Sequence, residues 1–402
     1  MVQEQIGLRA PRRRLSRMTN LAHDVVDAVR SVIGDGPVGL HEPLFSGQEH
    51  SYLNECLAST FVSSVGPFVT QFEEELQRAI GVPFAVATVN GTSALHMALK
   101  LVGVRSGDEV LLPGLTFVAP ANAVMYLGAT PHFFDIESET LGLDPEQLRS
   151  WLRNACYRDG DDCVSRQTGQ RIGAIVAVHI FGHPCRIDEI CSIGDEFGIP
   201  VVEDAAEALG SSYLGKPLGS FGTVATLSFN GNKIVTTGGG GAILTADARL
   251  ASLARHLTTT AKVPHPWAYV HNDVGYNYRM PNLNAALGIG QLEQLERFVD
   301  SKRRLAERYS AALAGVADVR MLIEPKDAQS NYWLQNLILE EARTSDRDSV
   351  IEALNAAGYG ARPAWHPIPH LPPFMESPRE PIPVVQHWTR SLVSLPSGAG
   401  LG

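Results

Sequence analysis

Apolar and polar residues follow one another along the chain in blocks that predict helices and strands in turn. Apolar residues three and four positions apart predict helices, for instance over residues 68–80 and 287–313. Short apolar runs rich in β-branched residues predict strands at 84–89, 110–113, 132–135, 172–180 and 199–202. Such alternation is typical of an α/β fold with a mainly parallel central sheet. Ligands of these sheets bind beyond the carboxyl ends of the strands, so functional residues are expected there.

The length of the chain indicates more than one domain. A chain of 402 residues exceeds what one small core needs and suits two domains. We expect a large α/β domain over residues 20–265 and a smaller C-terminal α+β domain over 266–402, with a strand at 332–339 and a helix at 347–358. Residues 1–19 contain five arginines with no apolar segment behind them, and they are predicted to be a disordered basic tail.

Composition and charge exclude some classes of protein. A hydrophobic content of 44% and a charged content of 19% are ordinary for a globular protein. The formal net charge of −10 argues against nucleic-acid binding, since phosphate backbones need a basic surface. No run of 18 apolar residues is present, so no membrane span is expected.

The cysteines indicate a reducing compartment. Five cysteines are an odd number, and none forms a C-x-x-C pair, so free thiols in the cytoplasm are predicted. Two of them lie in residues 155–171, a polar stretch predicted to be a surface insertion. His179, His183 and Cys185 lie close together in sequence but lack zinc-like spacing, so no metal site is predicted.

One stretch, residues 201–242, carries the most chemistry. Asp204 ends an apolar run, and Lys233 lies on a polar loop that begins at Ser228 and precedes a run of four glycines. A lysine can form a Schiff base with an aldehyde cofactor, and an aspartate can keep a ring nitrogen protonated. Ser228 and loop N–H groups can bind a phosphate. A solvated loop lysine and a helix-capping aspartate explain the same pattern, and from the residues alone both readings stay open.

Two further segments can contact a ligand. Asn90-Gly91-Thr92-Ser93 opens a helix after the first strand, and it is either an anion site or an ordinary N-cap. Residues 59–67 form a hydroxyl-rich turn that contains Ser63 and Ser64, and it is either a plain loop or a substrate contact. Both segments therefore remain candidates rather than assignments.

Four motifs give the chain a resemblance to a known family. The motifs lie at residues 203–210, 228–233, 236–241 and 275–288. With them the chain resembles the DegT/StrS-type sugar aminotransferases, which are fold-type-I enzymes that use pyridoxal phosphate on nucleotide-linked keto-sugars. The resemblance implies that Lys233 is catalytic and forms the Schiff base. The cofactor-binding residues it implies are Gly91, Thr92, Ser93, Phe117, Asp204, Ala206, Glu207, Ser228 and Asn277. The substrate-binding residues it implies are Ser63, Ser64, Arg279, Trp365 and His366.

The resemblance also implies partners and a reaction. The active unit would be a homodimer with shared sites, in which Asn277 of the partner subunit reaches the cofactor phosphate. Family members often carry Gln or His at the position of Glu207, and a glutamate there would repel a phenolate unless it is protonated or points elsewhere. Dehydratase relatives carry histidine at the position of Lys233, so the lysine favours amino transfer.

The narrowest resemblance is to the legionaminic-acid and bacillosamine branch. It rests on segments such as Leu40-His41-Glu42-Pro43 and Thr60 to Gly66. It implies transfer of an amino group, from glutamate by family habit, to C4 of a nucleotide-linked 4-keto-6-deoxy-N-acetylhexosamine. Alternatives are a 3-keto sugar, a cyclic polyol ketone, or a cofactor-binding regulator without turnover.

Overall fold

The computed structural model describes the backbone of residues 12–402 and the side chains from residue 21 onward. In this part of the chain the helices are α1 (Arg12–Ile33), α2 (Glu49–Ser59), α3 (Pro67–Ile80), α4 (Gly91–Leu101), α5 (Ala119–Tyr126), α6 (Pro145–Ala155), α7 (Ile187–Phe197), α8 (Ala248–Thr258), α9 (Asn282–Leu292), α10 (Leu295–Leu313), α11 (Arg347–Ala356) and α12 (Pro383–Ser391). The strands are β1 (Phe84–Thr88), β2 (Glu109–Pro113), β3 (Thr130–Phe134), β4 (Cys156–Asp159), β5 (Asp162–Ser165), β6 (Ile172–Val178), β7 (Val201–Asp204), β8 (Ser212–Tyr213), β9 (Lys216–Pro217), β10 (Val224–Ser228), β11 (Gly241–Thr245), β12 (Val319–Met321), β13 (Ala328–Gln329), β14 (Gln335–Leu339), β15 (Arg362–Pro363) and β16 (Leu392–Leu395).

A seven-stranded sheet in the order β1-β11-β10-β7-β6-β2-β3 organises the larger part of the molecule. Strand β11 runs antiparallel to both of its neighbours, whereas β10, β7, β6, β2 and β3 pair in parallel. The predicted α/β fold with a mainly parallel sheet is confirmed. Because β7 and β10 are parallel neighbours, their carboxyl ends, Asp204 and Ser228, lie at the same edge of the sheet.

Apolar side chains of the sheet divide between its two faces. Along β6, Ile175 and Ala177 pack into one core while Ala174 and Val176 pack into the other, as the two-residue period of a strand requires. Helices α3, α6, α7 and α9 cover the first face, and α4, α5 and α8 cover the second. A parallel sheet covered on both faces leaves the strand ends as the place where a ligand can enter.

A second sheet, in the order β12-β14-β16-β15, forms the C-terminal part. The predicted strand at 332–339 is β14, which begins three residues later, and the predicted helix at 347–358 is α11. Helix α1 packs against α10 and α11, and Val25 and Val29 belong to the same core as Val393 and Leu395 of the sheet. The sequence-based boundary places residues 22–33 in the large domain, but their contacts are with the C-terminal part, because their apolar face packs into its core.

Three other details differ from expectation. Residues 155–171, for which only a surface insertion was predicted, contain a hairpin, β4–β5. The long helix predicted over 287–313 is broken between α9 and α10. Of the predicted disordered tail, residues 1–11 lie outside the described residues, and over 12–19 the backbone continues α1.

The described residues contain neither a membrane-spanning helix nor a cluster suited to a metal ion. None of the helices between residues 12 and 402 combines the length and the apolar character needed to cross a bilayer. No group of three or more His, Cys, Asp and Glu side chains from residue 21 onward is arranged to hold a metal ion. All five cysteines fall in the described range and are free thiols.

Candidate active site

The carboxyl ends of the central strands surround a cavity of about 270 Å³. Strand β7 supplies Asp204, β10 supplies Ser228, and the turn after β1 leads into the first residues of α4. Trp333 and Trp365 close the cavity from the C-terminal part of the chain. Nine of the sequence-predicted site residues line this one cavity: Gly91, Thr92, Phe117, Asp204, Ala206, Glu207, Ser228, Lys233 and Trp365.

The amine of Lys233 lies inside the cavity. A turn in which the N–H of Lys233 donates to the carbonyl oxygen of Asn230 at 2.9 Å carries the side chain inward. The Nζ atom is 3.4 Å from Oε1 of Glu207 and 3.9 Å from the ring centroid of Trp333. A loop lysine that merely solvates the surface would not be enclosed in this way, so the surface interpretation of Lys233 is wrong for this structure.

Glu207 is a buried carboxyl group with two partners. Its Oε2 accepts the backbone N–H of Phe181 at 2.8 Å, and its Oε1 faces Lys233. Burial raises the pKa of Glu207 to about 7, and the nearby Lys233 amine opposes that rise. The carboxyl group therefore exchanges a proton near neutral pH, which reduces the repulsion that a fixed negative charge would exert on a phenolate.

Asp204 is buried at the end of β7 with one hydrogen bond, from the backbone N–H of Ala206 at 3.1 Å. Burial raises the pKa of this carboxyl above its ordinary value. Asp204 lines the cavity, and among the side chains that the structure describes no cationic group donates a hydrogen bond to its carboxylate. A protonated ring nitrogen placed against Asp204 would supply that donor and hold the carboxylate ionised, which fits the pyridinium of pyridoxal phosphate.

The first turn of α4 and Ser228 form a cradle for an anion. The Asn90 side chain accepts the N–H of Ser93 at 2.7 Å. Gly91 and Thr92, which line the cavity, belong to the same first turn of α4, where N–H groups have no partner within the helix and the dipole end is positive. A Cβ on Gly91 would lie 2.8 Å from Cβ of Ser228. Glycine at this position is therefore what allows the serine and the helix terminus to approach one another, and the cradle fits a phosphate.

Ser93 occupies a different position from the one predicted for it. Its N–H is taken by the cap, and its side chain lines a neighbouring polar cavity together with His96 and Tyr278. The expected contact of Ser93 with the cofactor thus has no support from this arrangement.

Aromatic rings form the outer wall of the cavity. Trp365 stacks on Phe181 with ring centroids 5.1 Å apart and an angle of 9° between the planes. Phe117, which is half exposed, lies 6.3 Å from Trp365, and Ala206 also lines the cavity. Flat apolar surfaces of this kind suit the face of a ring. The prediction that Phe117 and Ala206 enclose the cofactor ring remains a prediction.

The remaining predicted site residues lie outside this cavity. Asn277 and His366 are exposed, as is Ser63, whose carbonyl oxygen accepts the N–H of Asn282 at 2.7 Å. Ser64 is half-buried on the same turn. None of the four is brought into contact with Lys233 within this chain.

Arg279 is engaged by structural partners. Its guanidinium group is 2.8 Å from Oε1 of Glu73 and donates to the carbonyl oxygen of Ala87 at 3.1 Å. These contacts anchor the segment around Arg279 to the edge strand β1, with the N–H of Val89 donating to the carbonyl oxygen of Tyr278. A role in positioning this segment fits the contacts, whereas contact with substrate phosphates has no support from them.

Sequence reasoning missed Trp333. The residue lies in a stretch predicted as an ordinary strand, and its neighbours carry no loop or glycine signal. Its place in the cavity follows from the way the C-terminal sheet packs on the central one, which no local pattern reveals. Asn230 and Asn232 also line the cavity, and their position beside Lys233 was the only available signal.

Fold and site together define a pyridoxal-phosphate-dependent transferase. The sequence model of the DegT/DnrJ/EryC1/StrS aminotransferase family matches residues 44–402, and the chain belongs to that family. It is therefore a sugar aminotransferase, and its cofactor is pyridoxal phosphate.

Relatives act on different nucleotide sugars. GDP-perosamine synthase of Caulobacter vibrioides is 36% identical over 90% of this chain and 94% of its own length. UDP-2-acetamido-2-deoxy-3-oxo-D-glucuronate aminotransferase of Pseudomonas aeruginosa is 33% identical over 83% of this chain and 86% of its own. Among solved structures, the aminotransferase TlmJ of Streptoalloteichus hindustanus is 28% identical with a TM-score of 0.82, covering 91% of this chain and 95% of its own.

Proposed function

We propose that this enzyme transfers an amino group from L-glutamate to C4 of a nucleotide-linked 4-keto-6-deoxy-N-acetylhexosamine. The observation that carries the amino transfer is the enclosure of Lys233, Asp204 and Glu207 in one cavity beside the helix α4 terminus. The position on the sugar rests on the resemblance of residues 40–43 and 60–66 to the legionaminic-acid and bacillosamine branch. A 4-keto acceptor is therefore the first substrate to test.

In the proposed enzyme, different elements of the chain bind different parts of the cofactor. When bound, the cofactor supplies an aldehyde for amine exchange and a ring that withdraws electrons from the reacting carbon. Asp204 holds the proton of the ring nitrogen, since each charge stabilises the other in a buried site. Ser228 and the N–H groups of Gly91 and Thr92 hold the phosphate. The rings of Phe117 and Trp365, which line the cavity, reduce the access of water.

Lys233 and Glu207 handle protons. The Lys233 amine, once it is no longer bonded to the cofactor, removes and returns the proton at the substrate carbon, which is general acid–base catalysis. Glu207 faces that amine at 3.4 Å, and its pKa of about 7 allows it to donate or accept near neutral pH. In this proposal its protonated form also donates to the phenolic oxygen of the ring.

We also propose a homodimer with shared sites. Asn277 is exposed and remote from Lys233 of its own chain, and the segment that carries it is anchored by the Arg279–Glu73 ion pair. A fixed, exposed amide at a surface suits a contact with a neighbouring molecule. In the proposed dimer, Asn277 of the partner subunit completes the phosphate cradle.

The decisive experiment is the visible absorption spectrum of the purified protein before and after adding L-glutamate. A yellow band that bleaches would support the cofactor link through Lys233 and the first half-reaction, and a Lys233→Ala variant should lack both. Protein that stays colourless with added pyridoxal phosphate would contradict the proposal. The same experiment tests the alternative of a regulator, which would be yellow without bleaching.

The acceptor is identified in a second step. UDP-, GDP- and TDP-linked 4-keto-6-deoxy sugars would be offered to the glutamate-treated protein, and the amine position of the product read by NMR. The similarity to the 3-oxo-D-glucuronate aminotransferase makes a 3-keto sugar the second candidate, and amination at C3 alone would replace the C4 assignment. A cytoplasmic location, expected from the free thiols, stays a prediction.

A further inference from the structure

Both Trp333 and Glu207 lie against the amine of Lys233. The Lys233 Nζ atom is 3.9 Å from the centroid of the indole ring and 3.4 Å from Oε1 of Glu207, and the lysine side chain is only 12% exposed. A cation above an indole face is attracted by the ring quadrupole, and more strongly where water is excluded. The amine therefore has two partners of different kinds that together fix its place.

Trp333 is itself fixed by three hydrogen bonds, one from its ring and two at its main chain. The indole Nε1–H donates to the carbonyl oxygen of Asn232 at 2.7 Å, which ties the ring to the residue before Lys233. The main-chain N–H of Trp333 donates to Oδ1 of Asn331 at 2.7 Å, and the Asn331 amide donates to the carbonyl oxygen of Glu207 at 2.9 Å. Trp333 is thus joined to both loops that supply the reacting groups.

The third bond comes from a buried lysine. The Nζ atom of Lys302 donates to the carbonyl oxygen of Trp333 at 3.1 Å and to that of Ser397, and it lies 2.9 Å from Nε2 of His41. Lys302 is fully buried, and none of these three partners is a carboxylate. The position of the Lys302 amine is therefore defined by these acceptor atoms, one of which is the main-chain carbonyl oxygen of Trp333.

From this arrangement we propose that Trp333 is a positioning residue whose indole face holds the Lys233 amine whenever that amine is not bonded to the cofactor. While the amine is free, it would have to stay within reach of the substrate carbon in order to move a proton there. The ring and Glu207 keep it there, while the bonds to Asn232, Asn331 and Lys302 keep the ring in place. This role rests on the catalytic role of Lys233 proposed above.

Competitive acetylation tests the position of the lysine directly. The full-length holoenzyme, converted with excess glutamate so that Lys233 is released, is treated with a trace of acetic anhydride, and modified peptides are quantified by mass spectrometry. Exposed Lys326 is the internal reference, and buried Lys302 reports loss of the fold. In Trp333→Leu we expect the ratio of Lys233 to Lys326 labelling to rise at least about fivefold, because the amine is no longer held.

Two variants separate positioning from packing. Trp333→Phe keeps an aromatic face and should stay within about twofold of the wild type. Trp365→Leu opens the same cavity but leaves the indole of Trp333 in place, so it should raise the ratio less than Trp333→Leu does. An unchanged ratio in Trp333→Leu, or an equal rise in Trp365→Leu, would overturn the proposal. Should Lys302 become labelled in Trp333→Leu, Trp333→Met takes its place under the same criteria.

A failure of the proposal for Trp333 can be distinguished from a failure of the proposed amino transfer. The same labelling is repeated on cofactor-free full-length protein, in which Lys233 is free without any half-reaction. Wild type that fails to bleach with glutamate contradicts the proposed activity, yet the comparison of Trp333 variants in the cofactor-free protein still decides the role of the ring.

Discussion

The buried carboxyl group of Glu207 releases its proton near neutral pH. Burial raises its pKa from 4.5 to about 7. Between those values the unfolded chain loses the proton and the folded chain keeps it, so the unfolding free energy falls as the pH rises through this window and levels off above it. A shift of this size corresponds to at most about 3 kcal/mol.

Glu207→Gln removes this pH dependence. Relative to the wild type, the cofactor-free variant should gain up to about 3 kcal/mol of unfolding free energy between pH 4.5 and pH 8, as measured by urea denaturation. Exposed Glu376→Gln is the control and should follow the wild type at every pH. Parallel curves for the wild type and Glu207→Gln would contradict the raised pKa.

At the scale of single residues, the sequence predicted the site residues that follow strands of the central sheet. It missed Trp333, which does not follow one of these strands. Asp204, Ser228 and Lys233 lie at or just after β7 and β10, and parallel neighbours bring their ends together. Trp333 reaches the same cavity from a different sheet, about a hundred positions away in sequence. No local pattern encodes that approach, since it depends on how two sheets pack.

At the scale of elements, the phosphate cradle at the start of helix α4 depends on the absence of a side chain at Gly91. Gly91→Ala places a Cβ 2.8 Å from that of Ser228, so the serine and the helix terminus must separate. We expect roughly tenfold weaker binding of pyridoxal phosphate, since an overlap of this kind costs at least about 1 kcal/mol.

Gly231→Ala is a matched control for that prediction. Gly231 lies on the loop before Lys233, has no atom within 4 Å of an added Cβ, and needs no left-handed backbone. A titration of the cofactor-free protein that shows equal weakening in both variants would show that the cradle is not the cause.

Helices and strands were predicted correctly where their apolar periodicity is strong. Their ends were predicted less accurately where contacts with distant parts of the chain determine them. The strands of the central sheet follow from runs that are buried on both faces. The break between α9 and α10 follows from no residue pattern, since the apolar spacing continues through it. The β4 strand of the β4–β5 hairpin is exposed after Cys156, so its polar sequence indicated a surface insertion without indicating strands.

At the scale of the whole molecule, the proposed dimer makes a prediction about mixed subunits. Lys233→Ala and Asn277→Asp should each be inactive, the second because its carboxylate would face the phosphate of the neighbouring site. Mixed after unfolding and refolded together, they should recover about a quarter of wild-type activity, since half of the dimers then hold one intact site.

Each variant refolded alone is the control for that mixture and should stay inactive. If Asn277 served the site of its own chain, no combination of the two variants would contain a complete site, and mixing would restore nothing. Recovery therefore tests the sharing of sites and not the dimer alone.

Helix α1 packs against α10 and α11, and its apolar side chains share one core with Val393 and Leu395 of β16. During synthesis the helix leaves the ribosome long before α11 and β16 exist. At roughly 5–20 residues per second, the wait is on the order of tens of seconds. Throughout that time the nascent chain carries an exposed apolar face, which is the kind of surface that chaperones bind. A stop codon a few residues before α11 would leave the part of that face that α11 covers exposed permanently.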